Sequence, residues 1–232
     1  MPDPSVSVVI PARNEELLLP AALRSVAAQT LGDPVEAIVV SNGSHDGTAA
    51  VAAATAAELP GLTVRVLEEP IAGIARAKNA GSAAARAPLL AFLDGDSRMS
   101  PALLQTIVAR ARVGEQVASV RIVADGSDRV DHAFFWVIEN GKRLVRTRAN
   151  MFWCSRDVFD RLGGFDASLN HAEDLDFLVR ARRAGFRVGH IHGAWIATSP
   201  RRLHRGPLRI GMLTMLGRWA LGHLGIGRRW PY

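Results

Sequence analysis

Asp94-Gly95-Asp96 places two carboxylates two residues apart, directly behind the apolar run Pro88-Leu89-Leu90-Ala91-Phe92-Leu93. Side chains at i and i+2 converge once a chain leaves a strand, and the glycine between them permits a tight path. Hard oxygens at the C-terminal end of a parallel strand lie where open α/β sheets bind ligands. One or two of them suffice for a divalent cation that completes its shell with diphosphate oxygens. The same tripeptide is also an ordinary turn sequence. A second acidic set, Glu173-Asp174-Leu175-Asp176, follows Gly163-Gly164-Phe165-Asp166 and precedes Arg180, Arg182 and Arg183. Acids early and bases late also suit a helix dipole, so this segment reads equally as structural. Ala77-Lys78-Asn79-Ala80-Gly81 brings a cation and an amide, which a solvated lysine explains as well. Ser41-Asn42-Gly43-Ser44-His45-Asp46-Gly47-Thr48 reads as a polar turn ending in a helix cap at Ser44 or Asp46.

The elements that must carry these residues alternate. Val6 to Ile10, Val35 to Val40, Leu62 to Leu67 and Leu89 to Leu93 are short apolar runs that predict strands, while Glu15 to Thr30, Asp46 to Leu59 and Ile74 to Arg86 predict helices. That succession is the pattern of a mainly parallel, Rossmann-like sheet flanked by helices. After Ser100 the order is less regular: a helix at Pro101 to Arg112, a strand at Val117 to Val123, a helix at His132 to Arg143 and a strand at Asn150 to Cys154. The predicted division is a domain over 1–199, its nucleotide-binding half 1–100 and its acceptor half 101–199, with a basic, partly apolar helical extension over 200–232 starting at Ser199-Pro200.

The chain of 232 residues is long enough to bury a core without disulfides, and its only cysteine, Cys154, has no partner to pair with. The first residues lack the pattern of a secretory signal, which predicts a cytoplasmic protein. The net charge of +6 is uneven: eleven arginines and no acid follow Asp176, leaving the earlier residues net negative. Such an end attracts polyanions, among them lipid phosphates and a pyrophosphate. The stretch Leu208 to Ile226 is apolar but broken by Arg209, Arg218 and His223, which makes it a poor span; its wide apolar face fits either the inner face of a membrane or packing against the catalytic domain. His190 and His192 share one face of a strand, a spacing that fits a metal but fits packing better. Phe134, Phe135, Trp136, Phe152 and Trp153 could stack on a sugar or fill a core.

Taken in order, these segments resemble the family-two inverting glycosyltransferases of the GT-A fold. Ser7 to Glu16 looks like that family's opening strand and nucleotide loop, Asn42 to Thr48 its second loop, Ala77 to Gly81 its third, and Asp94-Gly95-Asp96 its DxD motif; Gly163 to Asp166 and Glu173 to Asp176 resemble its later segments. The resemblance implies a nucleotide site made by Pro11, Arg13, Glu15, Asn42, Lys78 and Asp94, with Asp96 holding Mn2+ or Mg2+. The family's commoner residues are Asp at the place of Asn42 and Arg at that of Lys78, so UDP- and GDP-sugars both remain open as donors. Without a glutamine beyond Gln116, the chain lacks the Gln-x-x-Arg-Trp segment of the processive synthases, which implies single transfer. An acceptor hydroxyl attacking the anomeric carbon needs a base on the face opposite the diphosphate. Asp174 is assigned that role, with Glu173 as the second choice, and Lys78 and one arginine of the basic end would neutralise the diphosphate. The acceptor is expected on a saccharide or lipid-linked substrate, with no nucleic acid. Two other readings compete: a sugar nucleotidyltransferase, disfavoured because Pro11-Ala12-Arg13-Asn14 is no glycine-rich loop, and a non-enzymatic nucleic-acid- or lipid-binding protein using the arginines.

Overall fold

The computed structural model describes residues 3–144, 151–204 and 210–223. The first half runs β1 (Val6–Ala12), α1 (Leu19–Ala27), β2 (Val35–Asn42), α2 (Thr48–Ala57), β3 (Thr63–Glu69), α3 (Ile74–Ala84) and β4 (Leu89–Phe92). The second half runs β5 (Ser97–Met99), α4 (Leu103–Arg112), β6 (Val117–Ala124), α5 (Arg129–Leu144), β7 (Phe152–Ser155), α6 (Arg156–Arg161), α7 (Glu173–Arg183), β8 (Val188–Thr198) and α8 (Ile210–His223).

Several boundaries differ from expectation for local reasons. Helix α1 starts at Leu19 rather than Glu15, because the Glu15 amide donates to the Thr48 hydroxyl at 2.8 Å and Pro20 fixes the first turn. Helix α5 starts at Arg129 rather than His132, since Asp128 Oδ1 accepts from the amides of Val130 and Asp131. Helix α2 starts at Thr48 rather than Asp46: its N-cap is Gly47, which offers no side chain, and Asp46 instead closes the preceding turn by accepting the Thr48 amide on Oδ1 at 3.0 Å. Asn150 and Arg205, Arg209, Arg228 and Arg229 lie outside the described residues.

The eight strands form one sheet in the order β3-β2-β1-β4-β7-β6-β8-β5. Strands β1 to β4 are parallel, as the alternation predicted. Strand β7 is antiparallel to both β4 and β6, β5 is antiparallel to β8, and β6 and β8 are parallel, so the sheet is mixed. The chain reverses its direction of growth at β1, with β2 on one side and β4 on the other, which opens a crevice beyond the carboxyl ends of β1 and β4. One face of the sheet buries Leu19, Leu23 and Val26 of α1 and Leu103, Leu104 and Ile107 of α4. The other buries five phenylalanines, Phe92, Phe152, Phe159, Phe165 and Phe177, whose rings meet at 5.0 to 6.1 Å. Phe152 and Trp153 are therefore core residues rather than sugar platforms.

Candidate active site

Gly95 explains why the acidic tripeptide is more than a turn. A Cβ at this position would lie 3.1 Å from Ala12 Cβ and 3.2 Å from Glu15 Cγ, so the β4 exit can press against the β1 exit only without a side chain. Asp96 is thereby brought beside Glu15, and Asp94 lies between Asp96 and Lys78 in charge contact with both. Asp94 Oδ1 is buried without a hydrogen-bond partner, as is Glu15 Oε2. Burial, with Asp96 adding to it, pushes the Asp94 carboxyl up. Glu15 is likewise pushed up to about 7, chiefly by burial and then by the Asp96 carboxylate. Orphaned carboxylate oxygens in a crevice fit a hard cation. Among the described residues no group of three or more His, Cys, Asp or Glu could hold a metal ion, so a cation here would need oxygens from a ligand as well.

Two arginines face this acid group. Arg201 Nη2 pairs with Glu15 Oε1 and lies 3.6 Å from Asp96 Oδ2, and Arg202 Nη2 lies 3.5 Å from the same oxygen. A 3-10 turn over Pro200–Arg202 presents them, tied down by the Ser199 amide on the Asp96 carbonyl at 3.0 Å and by Leu203, buried with Ala124 and Phe135. The sequence reading expected one arginine of the basic end here; nothing in the local sequence distinguished this pair from the nine others.

Lys78 is a correction to the solvated reading. Its side chain is 1% exposed, and Nζ lies 2.7 Å from Glu173 Oε1 and 2.6 Å from Asp174 Oδ1. Burial opposes its charge, yet Asp174 and then Glu173 outweigh that, so the ammonium stays protonated. Asn79 completes the bridge from α3: its Nδ2 donates to the Phe165 carbonyl and its Oδ1 accepts the Phe165 amide, each at 2.9 Å. Asp174 is pushed up to about 7 by burial first, with Lys78 pulling it back and Glu173 raising it further. Ala172, which precedes α7, holds φ at 57°, a left-handed conformation that aims the first turn of the helix at this cluster. The later part of the helix is structural, since Arg180 bonds Asp176 and the carbonyls of Leu162 and Gly164.

A cavity of about 400 Å³ joins the two groups, lined by Arg13, Glu15, Ile74, Glu173, Arg201 and Arg202. Pro11 and Asn42, expected at the nucleotide, lie buried at the ends of β1 and β2 and not on this wall. Asn42 Oδ1 accepts the Gly73 amide at 3.0 Å, which holds the loop entering α3.

The sequence profile of glycosyl transferase family 2 matches residues 7–172. The chain belongs to that family. It is a glycosyltransferase, and its fold is GT-A. An uncharacterized glycosyltransferase of Mycobacterium tuberculosis is 31% identical over 224 residues, 93% of this chain and 96% of that one. Among solved structures, a mannosyltransferase of Pyrobaculum calidifontis in complex with GDP-Man and Mn2+ superposes with a TM-score of 0.71 at 23% identity, covering 98% of this chain and 66% of that one. TarS of S. aureus in complex with UDP gives 0.69 at 18% identity, covering 97% and 73%. With the family shown, the nucleotidyltransferase and the non-enzymatic readings fall away. Among the described residues no helix of the transferase is long and apolar enough to cross a membrane.

Proposed function

We propose that the enzyme transfers one sugar from a UDP- or GDP-sugar to an acceptor hydroxyl, with inversion and with a divalent cation, Mn2+ or Mg2+. The observation that carries this reading is the separation of two carboxylate environments: Asp96 faces Arg201 and Arg202, whereas Asp174 faces Lys78. Carboxylates kept in different surroundings are suited to different tasks. Asp96, with Asp94 beside it, would hold the cation, which supplies charge neutralisation for the departing diphosphate. The nucleoside is received in the cavity of Arg13 and Glu15, with Pro11 and Asn42 supporting it from behind as buried residues of the β1 and β2 ends.

Arg201 and Arg202 leave the carboxylates for the diphosphate when the donor arrives, since a diphosphate offers them more charge and better bidentate geometry than two shared carboxylates. Lys78 is already balanced by Glu173 and Asp174 and assists the donor at longer range. Asp174 takes the proton of the attacking hydroxyl, a role suited to a carboxyl held near neutrality, and Glu173 is the second candidate. Attack from the face opposite the diphosphate inverts the anomeric centre.

The acceptor is placed on a saccharide or lipid-linked substrate. The arginines after Asp176 other than Arg180, Arg201 and Arg202, with the exposed Leu213 and Leu216 of α8, support contact with an anionic membrane surface, in keeping with a cytoplasmic enzyme working at the inner face. Calorimetric titration of UDP and of GDP, with Mn2+ and with a chelator, tests the donor half. Cation-dependent binding that disappears in Asp96→Ala is expected; nucleotide binding that ignores both cation and Asp96 would sink the metal-dependent reading.

A further inference from the structure

A second cavity, of about 360 Å³, lies away from the arginine-lined one, between α5 and the β6–β8 pair. Its helical wall is a single stripe: His132, Trp136, Glu139 and Asn140 recur at the spacing that keeps one side of a helix together. Trp136 is 65% exposed, an unusual cost for an indole unless its face is used. The opposite wall is made by β6 residues 121–124 and by His190 and His192 of β8. The register explains how His192 arrives there. Val120 pairs with Ile191 and Arg121 with Trp195, so His192, Gly193 and Ala194 form a bulge beside the cavity.

The polar groups of this cavity are held in place. His190 is bracketed by the Ser119 hydroxyl, 2.8 Å from its Nδ1, and by Glu139 Oε1, 3.2 Å from its Nε2. The Asn140 amide donates to the Trp136 carbonyl at 2.8 Å. An exposed aromatic face beside fixed acceptors and donors matches a ring that carries C–H bonds on its faces and hydroxyls on its edge. The wall carries one charge of each sign, Arg121 and Glu139, the latter paired with His190, so it matches an occupant without net charge. The volume lies in the range of small-molecule sites.

The wall of the cavity is linked through the fold to the acid group. Ala124 of that wall pairs with Thr198, the Thr198 hydroxyl meets the Ser97 hydroxyl at 3.0 Å, and the next amide, Ser199, bonds the Asp96 carbonyl. We propose that the trough between α5 and the β8 bulge binds a neutral saccharide unit of the acceptor, stacked on Trp136 and hydrogen-bonded through Glu139 and Asn140. This deepens the transfer reading above and rests on it only for the word acceptor.

The test is retention on an array of neutral mono- and oligosaccharides by the full chain, alongside calorimetry with UDP and GDP in Mn2+. Wild type and Trp136→Phe should retain the same glycans, and Trp136→Ala should lose about tenfold, with nucleotide binding unchanged in all three. Equal retention by Trp136→Ala, or no retention by wild type, overturns the saccharide site whatever the nucleotides do. Retention that needs Trp136 in a protein binding neither nucleotide upholds the site and removes the transfer reading instead.

Discussion

The Lys78 ammonium and the Asp174 carboxylate meet at 2.6 Å, across 96 residues of sequence, with the lysine side chain almost wholly enclosed. The contact ties α3, which packs on β1 and β2, to the first turn of α7. Replacing Lys78 by Met would leave Glu173 and Asp174 facing each other without a counter-charge. We expect a loss of about 3 kcal/mol of stability, measured by urea denaturation, together with loss of transfer. A variant as stable as the wild type would show that the pair contributes nothing to the fold.

The pH dependence of transfer should carry the signature of Asp174. Burial raises its carboxyl to about 7 and Lys78 opposes that rise, so the basic form is depleted below neutrality. The rate should climb as pH rises through about 7 and level off above it, and Asp174→Asn should remove both the climb and the activity. An ascending limb persisting in Asp174→Asn would take the base role away from Asp174 and point to another titrating group, such as Glu15, which is also raised to about 7.

Gly95→Ala tests the close approach of the β1 and β4 exits. The added methyl meets Ala12 and Glu15, which is overpacking that costs about 1–3 kcal/mol. The variant should fold, melt earlier and bind nucleotide more weakly. Wild-type nucleotide affinity in a folded Gly95→Ala protein would mean that the acid group tolerates displacement.

At the opposite ends of the strands, Glu36 accepts the Ser7 hydroxyl and the Arg86 amide, each at 2.6 Å, in full burial. Burial works against its ionisation, but these donors prevail and hold the carboxyl below the usual glutamate range. Glu36→Ala strands two buried donors and should cost about 3 kcal/mol with nucleotide affinity unchanged. The network contributes above the ordinary glutamate pKa and fades as pH falls through the depressed value, so the stability gap between wild type and variant should narrow in acid. Denaturation at several pH values measures it.

Cys154 is enclosed in β7, and burial pushes its thiol well above the usual range. It should ignore a thiol-specific reagent in the native protein and react once after denaturation. Rapid native labelling would indicate that β7 opens readily.

The parallel half was legible because β1, β2 and β4 are mainly apolar runs, broken early only by Ser7 and Glu36, and buried on both faces. Strand β5 was not, since Ser97-Arg98-Met99 has no apolar pattern and exists only by pairing with Ala197 and its neighbours. Most of β8 was hidden by Gly189 and Gly193 and by its bulge. The acidic motifs could be read, but the state of Lys78 could not, because a lysine's burial depends on carboxylates far along the chain. Arg201 and Arg202 were lost among eleven arginines for the same reason: Glu15 lies 186 residues from Arg201.

Strand β4 has β1 on one edge and β7 on the other, and the two neighbours differ in when they exist. A growing chain leaving the ribosome can assemble β1 to β4 from its first residues. The free edge of β4 then waits until Phe152–Ser155 has been made. During that interval the nascent protein presents an apolar, unpaired strand, the kind of surface on which chains aggregate. Synthesis of the chain between β4 and β7 is therefore the stage at which this edge is open to other chains.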